Sequence, residues 1–550
     1  MSEETTLANE KKFTLPSYLN LYFSASILII AFINVNKHPA LNIHGEMIGE
    51  MGKIYFQDAM YKSLYHNLTT IVAAYIPMTE RLLSLFVVKV LGCGNYFPWL
   101  VQWACVALIS VCCSLVNLKQ FKVIIEDDLS RFFIALMLGS YVYFDGMKLY
   151  NSAYIGSLFI LWTLFLKKEE FPIWKLIVLF LGMFIFLIGK AHYIAFAPFH
   201  GLLILWAFKN KQMKTMFFYM SIFIVHLIQL GITLSIKEEW DKRHADLGTI
   251  NLTGIIEYAF KYLFYDIASL GGPFFLSLNI YLLIFITIGI LGFALYKNIK
   301  NKSITLLFFV ICMILSLLSL AFSIKGFPDY ATTKKLVEHY TSYHYRHFLF
   351  SDTLITLGVC ALFYKAFGVK YFRPIAIVLV LILMFNNNTF PNHNPKDSAS
   401  KWEVYRELLK EDDYCIPTWT YTTWLMTKNC EKLGMCTVRK GSEALMLEHL
   451  KAIKLNPENW SLRGFIMAQS TGYQKEVLPL YALALDKTGK VLSKTKSMVP
   501  PDYKYQYFRF NTHVTPTFII LSNEFNKKQK FPSSHLLFFG KKLNQKKLNK

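Results

Sequence analysis

About eleven apolar stretches recur along this 550-residue chain, at residues 17–35, 98–117, 131–146, 150–166, 173–189, 193–208, 215–236, 274–296, 303–324, 347–366 and 371–387. Each approaches the ~20 residues that a helix needs to cross a bilayer's hydrocarbon. With 54% hydrophobic and only 17% charged residues, the chain carries more apolar surface than a soluble fold of this length buries. The pattern predicts an α-helical polytopic membrane protein of about 11 transmembrane helices.

Lysine and arginine fall in every second connection. Lys119, Lys122 and Arg131 occupy the second, Lys167, Lys168 and Lys175 the fourth, and Lys209, Lys211 and Lys214 the sixth. Lys297, Lys300 and Lys302 fill the eighth, and Lys365, Lys370 and Arg373 the tenth. Basic loops stay in the cytoplasm, so residues 1–16 are expected to form a cytoplasmic tail. Glu3, Glu4, Glu10, Lys11 and Lys12 sit there, and the next apolar run has no small-residue cleavage site after it, which reads as a signal anchor. The outer face then receives loop 36–97, the short turns near 144–150 and 190–192, loops 237–273 and 325–346, and everything after 388. The expected location is the cytoplasmic (inner) membrane, with the C-terminal domain extracytoplasmic.

The net charge of +22 invites a nucleic-acid reading. Most of the excess flanks spans or lies in the last twenty-five residues, with no ordered basic helix and no aromatic–basic platform, so no nucleic-acid partner is expected. P-loop, dinucleotide and Ser-His-Asp signatures are absent as well.

The first outer loop, GEMIGEMGKIYFQDAMYKSLY, has the spacing of helices lying in the membrane interface. The apolar run 71–91 is interrupted by Pro77, Glu80 and Arg81 and reads as interfacial or re-entrant. Residues 389–550 follow an Asn/Pro-rich linker and read as a small α/β domain. Helices are expected at 400–411 and 442–454, a hairpin in YALALDKTGKVLSK and strands in FRFNTHVTPTFIILSN. Cys105, Cys112, Cys113, Cys312 and Cys360 lie in spans and read as small hydrophobes. Among Cys415, Cys430 and Cys436 one disulfide is expected, with Cys430 to Cys436 the shortest closure. The spacing does not suit zinc.

Polar residues near a membrane are costly and therefore candidates for function. Glu46 and Glu50, four apart in HGEMIGEM, project from one helix face. Such carboxylates suit a general base or a divalent-cation ligand, although Glu50 also pairs plausibly with Lys53 on a solvated face. Asp58 follows on the same segment, and Asp145 sits in the outward turn YFDGMKLY, a common place for a turn aspartate. In GKAHYIAF, Lys190 departs from the loop-charge pattern and needs an anionic partner or a route to water; a phosphate-bearing lipid headgroup would serve. His192 and Tyr193 accompany it. In YTSYHYRHFLF, Arg346 offers a phosphate-binding fork among His344, Tyr345 and His347, where an aromatic belt is the plainer alternative.

This layout resembles the GT-C superfamily of bacterial polytopic membrane glycosyltransferases, which use polyprenyl-phosphate-linked sugars. HGEMIGEMGKIYF stands at the family's acidic first loop, and Asp145 matches the position of a second acidic residue between the third and fourth spans. GKAHY resembles a lysine–aromatic signature, YRHF an arginine–tyrosine signature, and DYCIPTWTYTTW the isoleucine–proline segment after the last span. The paired DxD form of one branch is missing, so metal dependence is left open.

The resemblance implies inverting transfer of a sugar from a polyprenyl-phosphate donor to a cell-surface glycan or lipid-linked acceptor. Glu50 or Glu46 would be the base, and Lys190 and Arg346 would hold the departing phosphate. The partners it implies are that donor, a glycan or lipid acceptor, membrane lipids and a separate donor-lipid flippase. A lipid-linked glycan polymerase or ligase, or a polysaccharide or lipid transporter, are the competing readings. No inverted hydropathy repeat supports the transporter.

Overall fold

The computed structural model describes residues 21–37, 47, 51–72, 75–141, 148–235, 280–326, 349–385, 402–418, 421–438, 445–446, 460–469, 481–498, 505–522 and 534–542. Long helices occupy the apolar stretches: α1 Leu21–Lys37, α5 Phe97–Ser114, α6 Asp128–Tyr141, α7 Lys148–Leu164, α8 Ile173–Gly189, α9 Ala197–Lys209, α10 Met213–Ser235, α11 Ile280–Lys300, α12 Ile304–Gly326, α13 Leu349–Phe367 and α14 Val369–Phe385. Between α1 and α5 lie the short helices α2 Gln57–Tyr61, α3 Leu64–Thr69 and α4 Met78–Leu85.

Among the described residues, five helical stretches are long and apolar enough to cross a membrane: Gly94–Val123, Ala191–Lys209, Met213–Ser235, Ile304–Ala321 and Leu349–Met384. Shorter apolar helices cover Leu21–Asn36, Ser152–Leu164 and Ile173–Gly189. The longest stretch is divided at Gly368, whose φ of +73° only glycine adopts without strain. Its N–H donates to Tyr364 O at 2.9 Å and closes α13 before α14 begins. Outward flanks of the bundle show Ile173, Leu202, Leu205, Phe217, Leu307 and Leu381 uncovered, as a lipid-facing surface would.

Close packing holds the bundle together. A side chain on Gly156 of α7 would meet the Phe186 ring of α8 at 2.2 Å, and one on Gly139 of α6 would meet Ile30 of α1 at 2.5 Å. Small polar groups add interhelical bonds. Ser26 Oγ donates to Ser114 Oγ at 2.7 Å, and Asn34 Nδ2 to Gly139 O at 3.1 Å.

The basic connections gather at one end. Arg373 Nε donates to Asp127 Oδ2 at 3.0 Å, joining the tenth connection to the second, and Lys365 lies 3.5 Å from Glu126. Lys297 Nζ donates to Ala366 O at 3.1 Å and Lys214 Nζ to Glu169 O at 3.1 Å. Lys168 departs from the rest. It is buried, caps the end of α7 by donating to Thr163 O at 2.6 Å, and burial pushes its ammonium down to about 7.

The C-terminal region is β-rich. Its described helical residues are α15, Trp402–Tyr405, and a 3₁₀ turn, Arg406–Lys410. Among the described residues ten strands follow: β1 Tyr414–Thr418, β2 Tyr421–Lys428, β3 Glu431–Val438, β4 Leu445–Met446, β5 Trp460–Gln469, β6 Tyr481–Leu485, β7 Val491–Lys496, β8 Tyr505–Val514, β9 Phe518–Ser522 and β10 Ser534–Lys542. They form a β1–β2 hairpin and two antiparallel sheets ordered β3-β10-β5-β8 and β4-β9-β6-β7. The expected α/β domain is thus corrected to a β region. Within 442–454, expected as helix, Leu445 and Met446 pair with Ile519 and Phe518 as strand; the rest lies outside the described residues. The disulfide joins Cys415 to Cys430, not the shorter closure to Cys436. Cys436 instead falls within β3, opposite Leu536 of β10, where backbone pairing fixes its place.

Strand alternation explains how this region sits. Phe465, Met467, Phe508, Phe510, Leu536 and Phe538 face the small sheet. Their neighbours Ile466, Tyr507, Leu537 and Phe539 point the other way and share a core with Met51, Tyr55, Phe56, Phe97 and Trp402. Both faces of the larger sheet are therefore covered, one by strands and one by the first loop. Gln57 Nε2 donates to Thr427 O at 2.8 Å and Trp402 Nε1 to Asn95 O at 2.7 Å across the junction. The first loop and the C-terminal region share one side of the bundle.

Candidate functional site

Helix α4 organises the polar site. Val72 and Tyr75 exchange backbone hydrogen bonds, and Pro77 opens the helix. The chain then buries Met78, Thr79, Glu80, Arg81, Ser84 and Leu85. Sequence alone reads such a polar run as interfacial. Burial is tolerated because each charge finds an opposite one, contributed from far along the chain.

Glu80 pairs with Lys190, Oε1 to Nζ at 2.7 Å, and the two side chains are 0% and 1% exposed. The Lys190 Nζ also donates to Tyr75 Oη at 3.0 Å and lies 4.3 Å and 5.2 Å from the Tyr75 and Tyr154 ring centres. Lys190 reaches this place because α8 stops at Gly189 and the next residue is extended, with φ −153° and ψ 133°. His192 meets the Tyr154 ring edge-on at 5.3 Å. Tyr193 turns inward, its hydroxyl donating to Ala153 O at 2.6 Å and Tyr154 O at 3.0 Å, which locks the α8–α9 turn onto α7.

A second pair lies alongside. Arg81 Nη1 donates to Asp58 Oδ2 at 3.0 Å and to Asn67 Oδ1 at 3.3 Å. His66 Nε2 stands 3.6 Å from the same carboxylate, and Ser63 caps α3 by accepting from His66 N at 3.1 Å.

Four atoms of α4 stay unsatisfied. Thr79 Oγ1, Glu80 Oε2, Arg81 Nε and Arg81 Nη2 are buried and have no hydrogen-bonding partner among the described residues. Each such group costs about 1–3 kcal/mol, more when charged. Thr79 Oγ1 is 3.7 Å from where a side chain on Gly189 would begin, so it faces the same turn as the Glu80–Lys190 pair.

Of the residues singled out from sequence, Lys190, His192, Tyr193 and Asp58 fall in this region. Lys190 and His192 converge on Tyr154, whereas Tyr193 acts on the α7 backbone. Glu46, Glu50, Asp145, His344, Tyr345 and Arg346 lie outside the described residues. The anionic partner that Lys190 required is a carboxylate of the chain itself. Sequence reading passed over Glu80, Arg81, Tyr75 and Tyr154; the available signal was two adjacent opposite charges inside an apolar run. Among the described residues no cluster of three or more His, Cys, Asp or Glu is placed to hold a metal ion.

No family model, curated protein or solved structure matches this chain.

Proposed function

We propose that this chain is an inverting membrane glycosyltransferase that moves a sugar from a polyprenyl-phosphate donor to a cell-surface glycan or lipid-linked acceptor. The observation that carries the reading is the convergence on one side of the bundle. The first-loop helices, the α8–α9 turn bearing Lys190 and the C-terminal sheets meet there, opposite the end where the basic connections gather. Under the positive-inside rule that side is extracytoplasmic, where a lipid-linked donor and not a nucleotide sugar is available. The disulfide Cys415–Cys430 suits an oxidising compartment.

In the proposed reaction Glu46 or Glu50 takes the proton of the acceptor hydroxyl as its oxygen attacks the anomeric carbon. The bond from that carbon to the phosphate oxygen breaks, and its electron pair leaves with the polyprenyl phosphate. Asp145 is the second acid, and Arg346 with His344 and Tyr345 stabilises the phosphate's charge. Lys190, already compensated by Glu80, orients ligand with His192.

The test compares surface glycans of a deletion strain with those of its parent and with strains carrying Glu46→Gln or Glu50→Gln. Loss of one glycan modification in the deletion and in either variant, at normal protein levels, is the expected result. Normal glycans in the deletion strain overturn the proposal. Loss of lipid movement with transfer intact would favour a transporter.

A further inference from the structure

The two pairs on α4 cancel: Glu80 against Lys190, and Asp58 against Arg81. Among the described residues these charges balance, so a phosphate entering beside Lys190 would add negative charge to a buried cluster that is already paired. A neutral ligand rich in hydroxyls would not. Resting on the glycosyltransferase reading, we infer that the Glu80–Lys190 pair, with Thr79, is the subsite that reads the hydroxyls of the transferred sugar, and that the phosphate is held elsewhere.

Three observations support this assignment. Thr79 Oγ1, which stands beside Gly189, and Glu80 Oε2, on the carboxylate whose other oxygen meets Lys190, are buried without hydrogen-bonding partners, so a hydroxyl and an acceptor are left over beside this turn. Tyr75 and Tyr154 flank the ammonium, and an aromatic face beside paired donors and acceptors matches a sugar ring, apolar on its faces and polar at its edges. Finally, Tyr75, Ile76 and His192 are half-buried, which puts a rim next to the buried pair.

The experiment uses the full chain in nanodiscs and follows intrinsic tryptophan fluorescence. The probes are bare polyprenyl phosphate and the same lipid carrying glucose, galactose, mannose or N-acetylglucosamine. Wild type should bind at least one glycosylated lipid tenfold or more tighter than the bare lipid. Glu80→Gln should reduce that preference about ten- to hundredfold, as expected for a hydrogen bond to a charged group. Thr79→Val, which leaves the ion pair intact and guards against misfolding of the first variant, should reduce it several-fold. Both variants should keep the bare lipid's affinity within about twofold.

Equal weakening of bare and glycosylated lipid, or a preference that survives both variants, overturns the inference while leaving the glycosyltransferase reading in place. If wild type binds none of these lipids, the donor reading fails, and saturation-transfer NMR with the methyl glycosides of the same sugars decides the subsite. Sugar signals that Thr79→Val removes would sustain it. Their absence in wild type would end it.

Discussion

At the scale of single residues, the buried Glu80–Lys190 pair makes the sharpest demand on the chain. Removing one partner leaves a charge in a low-dielectric interior, at a cost of about 3–5 kcal/mol. Glu80→Gln or Lys190→Met alone should lower unfolding stability in detergent by that amount, whereas the double variant should recover most of it. A double variant as unstable as the sum of the singles would show that the charges do not interact. Asp127 gives a pH-dependent counterpart at the basic end. The hydrogen bond from Arg373 holds its carboxyl down to about 2, helped by Ser130 against the opposing effect of burial. A carboxylate whose affinity for protons falls on folding stabilises the fold above its unfolded value of about 3.9. That contribution is complete near neutrality and fades as pH falls from about 4 toward 2. The stability difference between wild type and Asp127→Asn should shrink over the same window, as followed by tryptophan fluorescence; a constant difference would contradict it.

Elements are where the sequence was most and least legible. Apolar length located the helices to within a few residues, because bilayer thickness and helical rise leave little freedom. The hairpin at Thr488-Gly489 was legible from turn chemistry, and Asp486 Oδ1 accepts from Thr488 N at 2.8 Å and Lys490 N at 2.9 Å within it. Helix α4 was not legible as a buried element. Its charges make sense only beside Lys190 and Asp58, and no local period encodes a partner over a hundred residues away. Close helix packing was equally silent. Gly156→Ala should destabilise the α7–α8 contact by about 1–3 kcal/mol, since the Phe186 ring has to move from 2.2 Å. An unchanged unfolding midpoint in detergent would refute this. The disulfide pairing was open among three cysteines until strand positions chose Cys415 and Cys430, which close a separation of 15 residues. A loop of that size contributes about 3 kcal/mol, so Cys415→Ser should lower the unfolding midpoint, and added reductant should lower the wild-type midpoint while leaving the variant's unchanged.

For the whole molecule, the two ends carry opposite chemistry. Ion pairs among basic connections close one end, and sheets over the first loop close the other. Single cysteines placed by Asn301→Cys and Lys487→Cys should therefore react with a membrane-impermeant maleimide on opposite sides of the membrane. Labelling of both from the same side would remove the topology on which the proposed donor depends.

The larger sheet's double burial has a consequence for biogenesis. Trp402 completes the surface around Asn95 from 307 residues away in sequence. At ribosomal rates of about 5–20 residues per second, the first loop waits on the order of 15–60 s for its cover. Throughout that interval Met51, Phe56 and Phe97 lack the partners that bury them in the finished protein, so a nascent chain stalled before Trp402 should be cut by proteases that spare the finished protein.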